Sequence, residues 1–156
     1  MIRKLNLMAL CLGAAVTAYA VDPTVPATAS SQPLGAQIAS EARSAYKLAS
    51  NLVDTLKQKN TQAAAVNEPV AAIEKNLAEI NRLVAELDAK RATLSPKQVA
   101  EVDRMKVLTQ TMQVFVDQKK ESAVNTAENR GILRSQAQAV RQRAELIEKS
   151  ALRIGG

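Results

Sequence analysis

Imidazoles, thiols, clustered acids and glycine-rich turns are the usual carriers of protein chemistry, and this chain is poor in all of them. Its 156 residues include no His, no Trp, one Cys and five Gly. Without an imidazole there is no base titrating near neutral pH, no usual zinc set, no 2-His-1-carboxylate iron site and no Ser-His-Asp triad. The closest acid pairs, Glu74 with Glu79 and Glu145 with Glu148, lack the Glu-x-x-His spacing of a carboxylate-bridged metal pair and read as solvated helix faces. No glycine-rich phosphate loop or nucleophile motif is present. The expectation is a non-enzymatic protein with no catalytic residue, no metal site and no cofactor.

The lone thiol, Cys11, falls inside an export signal. Arg3 and Lys4 precede an apolar run from Leu5 to Val16 that closes on Ala18-Tyr19-Ala20, the pattern of a secretory signal peptide with cleavage after Ala20. The run is shorter than the roughly 20 residues that span a bilayer, so no transmembrane segment is expected after cleavage. Leu10 is too large for a lipoprotein site at Cys11, and the mature chain is then free of cysteine. The expected location is the periplasm or cell envelope, with secretion also open. Residues 21 to 35, with three prolines and no apolar period, read as a flexible leader.

Beyond the leader every apolar pattern is helical. Ile38, Ala42, Ala45, Ala49, Leu52 and Leu56 recur at alternating intervals of 4 and 3, and the series continues weakly through Lys59, Ala63 and Val66. A second series runs Val70, Ile73, Leu77, Ile80, Val84, Leu87, with Pro69 as its expected first helical residue. A third opens on Ser95-Pro96-Lys97-Gln98, a capping box, and passes through Val102, Met105, Thr109, Met112, Val116, Lys119 and Thr126 to Arg130. It continues in phase through Leu133, Ala137, Val140, Ala144, Ile147, Ala151 and Ile154. Gly131 marks a turn there. The resulting fold class is all-α, an antiparallel up-down four-helix bundle with coiled-coil-like packing over 36–154. Its helices are expected near 36–66, 69–93, 96–129 and 132–153. The alternative is an elongated three-helix coiled coil in which the last two are continuous.

Two surface features point to partners. Met105, Leu108, Met112, Phe115 and Val116 share one arc of about 100°, while Val107 and Val114 stand roughly 160° from its middle. A second chain is expected to meet that outer side. Charge is also uneven: residues 130–156 hold six Lys and Arg against two acids, while residues 21–129 hold 13 of each. Arg134 and Arg141 share one face with Arg130, which suits an anionic surface such as lipid, lipopolysaccharide, glycan or acidic protein. Nucleic acid is disfavoured, because Tyr46 and Phe115 are the only aromatic rings left after cleavage.

The stretch Leu94-Ser95-Pro96-Lys97-Gln98 resembles the Leu-Thr-x-x-Gln motif of the Spy and CpxP family of periplasmic chaperones. A second copy of the motif would fall at Leu108-Thr109-Gln110-Thr111-Met112, where Met112 replaces the Gln. The resemblance implies ATP-independent holding of unfolded exported clients on a concave helical surface. The residues themselves point to a structural or protein-interaction bundle that self-associates or meets an envelope protein, with the chaperone-like or small-ligand binder as the alternative.

Overall fold

A helix whose apolar residues recur every three or four positions can bury only one stripe, so it is stable only against other such stripes. The computed structural model describes residues 33–59, 61–120 and 127–155, and these form four helices with no strand among them. They are α1 (Leu34–Thr55), α2 (Ala63–Ala89), α3 (Pro96–Lys120) and α4 (Ala127–Gly155), with a 3₁₀ turn at Arg91–Thr93. Each helix packs on two neighbours, in the order α1–α2–α3–α4 and back to α1. Residues 32–156 make one compact unit with its own core. The proposed signal peptide and all of the proposed leader before Pro33 lie outside the described residues.

The helices alternate in direction. Arg43 near the start of α1 donates from Nε to Glu148 near the end of α4 at 2.8 Å, and Gln118 near the end of α3 accepts from Gln136 near the start of α4. Asp88 at the end of α2 takes Lys106 early in α3 at 2.8 Å. This is the expected antiparallel up-down bundle. Ile38, Leu77, Ile80, Leu83, Met105, Met112 and Ile147 are its largest fully buried apolar side chains.

The α1–α4 pair is the most extensive contact of the ring. Its seam is built from small residues: Gly35, Ala39, Ala42 and Ala49 on α1 and Ala137, Ala144 and Ala151 on α4 are all buried. Small side chains let two helix backbones approach closely, and Gly35 shows the limit. A Cβ placed there would lie 2.7 Å from the carbonyl oxygen of Ala151 and 3.1 Å from the nitrogen of Gly155.

Several helix ends differ from those expected. The first helix stops at Thr55 instead of running to residue 66, because Leu56 is the last side chain of that seam to reach the core and Lys59 is exposed. The Thr61 hydroxyl, 2.9 Å from the carbonyl oxygens of Thr55 and Gln58, takes up acceptors that the helix end leaves open. Pro69 does not begin the second helix but sits inside α2. Its missing N–H strands the carbonyl of Ala65, which lies on the exposed side where water can bond it. The gain is Val66, fully buried one heptad before Ile73.

Gly131 does not form the turn. It lies within α4, which begins at Ala127, and α3 ends at Lys120, so neither a turn at 129–131 nor a continuous final helix describes the chain. A Cβ at Gly131 would meet nothing within 4 Å, consistent with a glycine on an open helix face. The in-phase apolar series on either side of Gly131 carried the correct information, and the glycine was a misleading stop signal.

The capping box at Ser95 is formed. The Ser95 N–H donates to Gln98 Oε1 at 3.0 Å, and the Gln98 N–H donates to Ser95 Oγ at 3.4 Å. Gln98 Nε2 also reaches the carbonyl of Ile154 at 3.2 Å, which ties the start of α3 to the end of α4.

Candidate interaction surfaces

The acidic residues are engaged in ion pairs instead of gathering into a site. Glu79 holds Arg82, Glu145 holds Lys149, and Glu148 holds Arg43. The carboxyls of Glu79 and Glu145 lie below their ordinary values, chiefly through the hydrogen bonds from Arg82 and Lys149. No group of three or more metal-ligating side chains occurs among the described residues.

Two polar knots close one end of the bundle. Arg91 forks onto Asp103 at 2.7 and 2.8 Å and also reaches Asp88 at 3.1 Å, while Lys106 bonds the other oxygen of Asp88. Asp88 and Asp103 are held below the usual carboxylate range by these donors, Lys106 foremost for Asp88 and Arg91 for Asp103. The second knot joins Glu101 of α3 to Arg153 of α4 at 2.7 Å. Glu101 is lowered first by the neighbouring Ser150 hydroxyl and then by Arg153. Ser150 is fully buried, and neither its Oγ nor Glu101 Oε2 has an aligned hydrogen bond in this conformation. A serine closed off from solvent offers a substrate no nucleophile.

Toward the other end, Leu52, Val66, Ile73, Val116, Leu133 and Val140 line an apolar cavity of about 30 Å³. That volume decides its capacity. An engineered apolar void that takes up benzene measures about 150 Å³, and one water needs about 10–15 Å³. The cavity as it stands holds nothing larger than a water or two. Its one orphaned polar atom is Gln136 Oε1. Phe115 at its edge is covered by the Arg143 guanidinium, 4.8 Å from the ring centre.

On α3, Met105, Met112 and Val116 are buried, and Leu108 and Phe115 are half-buried, so the expected core-facing arc holds. Thr109, a polar member of the seam, is buried as well, with its hydroxyl donating to the Lys106 carbonyl at 3.0 Å. The side chains of Lys119 and Thr126 lie outside the described residues. Val107 and Val114 face outward, 62% and 53% exposed. Being seven residues apart, they form one ridge with Gln110 and Thr111 between them.

The basic residues of α4 sort into two groups. Lys149 and Arg153 pair with carboxylates, and Arg143 lies on Phe115 and donates to the Ala139 carbonyl. Arg130, Arg134 and Arg141 make no salt bridge among the described residues. Arg134 is exposed and Arg141 half-buried, and Arg141 faces α1, close enough to lower the carboxyl of Asp54. Because the side of α4 that meets α3 carries Gln136, Arg143 and Ser150, the structure puts the Arg134–Arg141 strip and the Val107–Val114 ridge on different sides. They are two surfaces and do not form one site. Sequence reasoning missed Leu152, 51% exposed, although its place 18 residues after Arg134 puts it in line with that strip.

No helix of the described residues is long and apolar enough to cross a membrane. No family model matches the chain, and no similar curated protein or solved structure was found.

Proposed function

We propose that this chain is a non-enzymatic interaction protein of the bacterial periplasm or envelope, exported by the signal at residues 1–20. Its bundle works passively, presenting helix faces to another copy or to an envelope partner. The observation that carries this reading is the outward ridge of Val107 and Val114 over a helix whose opposite face fills the core. Two half-exposed valines one heptad apart add nothing to the fold of the single chain and give a partner an apolar stripe to cover.

Chemical crosslinking in intact envelopes, read by mass spectrometry, tests the proposal. Val107→Asp with Val114→Arg is expected to remove the crosslinked neighbour while leaving helicity and thermal midpoint unchanged. A neighbour set untouched by both substitutions would take the ridge out of the account, and turnover of any compound by the purified protein would overturn it whole. The alternative, an ATP-independent chaperone or small-ligand binder of Spy or CpxP character, gains no support from the 30 Å³ cavity. The letters that suggest it, Leu94 to Gln98, are accounted for by the local cap of α3. Light scattering with an aggregating client separates the two.

A further inference from the structure

The unpaired arginines of α4 deepen this reading and rest on its premise of a passive, surface-presenting bundle. We infer that the strip Arg130, Arg134 and Arg141, continued by Leu152, docks the bundle on an anionic phospholipid surface.

The first argument is that the fold distinguishes these arginines from the other cations of α4. The remaining three are occupied, by Glu145, by Glu101 and by the Phe115 ring. The three on the strip fall within about 40° around the helix and have no carboxylate salt bridge among the described residues. The carboxylates nearby are themselves matched: Asp54 by Lys57 at 2.7 Å, Glu145 by Lys149 at 2.6 Å, and Glu148 by Arg43. A net positive face therefore survives the internal pairing.

The second argument is shape. Arg130 and Arg134 are one turn apart and can share a phosphate, but Arg141 stands about 10 Å farther along the axis and needs another. The strip is on the outside of a helix, with no concavity in which a single small anion would be enclosed. Guanidinium forks match phosphate oxygens, and their spacing here suits a surface that repeats its phosphates. Duplex nucleic acid also repeats phosphates. Leu152 favours lipid: about five turns beyond Arg134 and on the same side, a half-exposed leucine can enter the headgroup boundary. Tyr46 and Phe115, the aromatic rings among the described residues, are both half-buried in the bundle and offer no stacking platform for bases.

The bundle segment 32–156, whose core is complete within itself, is mixed with phosphatidylcholine vesicles with or without phosphatidylglycerol, and sedimentation is measured. Binding is expected only with the anionic lipid and is expected to fall as salt shortens the Debye length. A basic side chain near an anionic surface strengthens partition about fivefold, so Arg130→Gln, Arg134→Gln and Arg141→Gln together weaken it about a hundredfold. The same loss of charge at Lys75, Lys97 and Arg104, exposed on α2 and α3, is expected to have a much smaller effect. The chain has no Trp, so Leu152→Trp introduces a single fluorophore whose emission should move to the blue on anionic vesicles.

Equal losses in the two triple variants, equal binding to neutral vesicles, or no binding at all would overturn the inference. So would an unshifted Leu152→Trp spectrum, or a DNA duplex that displaces the vesicles through the same three arginines. Envelope crosslinks that persist while vesicle binding fails would sink the membrane docking alone. Vesicle binding that persists without crosslinks to a neighbour would sustain it and sink the protein-partner reading.

Discussion

Two glycines show how much a single missing methyl can decide. At Gly35 an added Cβ would run into the Ala151 carbonyl and the Gly155 backbone, neither of which can rotate away. Gly35→Ala is expected to lower the unfolding free energy by about 1–3 kcal/mol, read as a lower urea midpoint. Gly131 is the opposite case, a glycine inside a helix with open space around it. Gly131→Ala should raise stability by about 0.5–1 kcal/mol, because alanine has less backbone freedom to lose. A destabilised Gly131→Ala protein would instead indicate that the residue needs a conformation closed to alanine. From letters alone the two could not be told apart. Glycine looks the same whether it ends a helix, fits a close crossing or merely interrupts a good helix former.

Among the elements, the parts legible in advance were those fixed by local geometry. The cap at Ser95 needs only residues within one turn of each other, and it forms as expected. Ser95→Ala should cost about 0.5–2 kcal/mol, measured by denaturant unfolding. The seams were legible for a similar reason, since Leu77, Ile80 and Val84 occupy the core stripe that their spacing dictates. Helix ends were harder, because they are settled by distant partners. Whether α1 stops at Thr55 or continues depends on where the next helix can lie beside it. Pro69 inside α2 is tolerated because of the exposure of Ala65 and the burial of Val66, neither of which is local information. The sorting of the α4 cations was equally hidden: Arg153 and Glu101 are 52 residues apart in sequence.

For the molecule as a whole, the titratable groups set the acid limit. Residues 32–156 contain neither His nor Cys, so nothing in the bundle changes charge between about pH 6 and 8. Asp54, Glu79, Asp88, Glu101, Asp103 and Glu145 all have carboxyls lowered by nearby donors, with Lys57 foremost for Asp54. A carboxyl lowered by folding contributes stability above its unfolded value, and loses it as pH falls through the folded one. The thermal midpoint should therefore stay level from about pH 6 to 8 and decline below about pH 4. Since these pairs lie at or near the surface, added salt should flatten the decline. A midpoint that moved between pH 6 and 8 would contradict this assignment of charges.

The first and last described residues lie at the same end of the bundle, with Gly155 about 4 Å from Gly35 and Ala36. A pull applied to both termini would therefore load one end of the α1–α4 seam and open it layer by layer, like a zipper, without shearing all the layers at once. The bundle is built to be held at one tip and to present its flanks. Stretched between two anchors, it would be a weak link, parting first where its helices are slimmest.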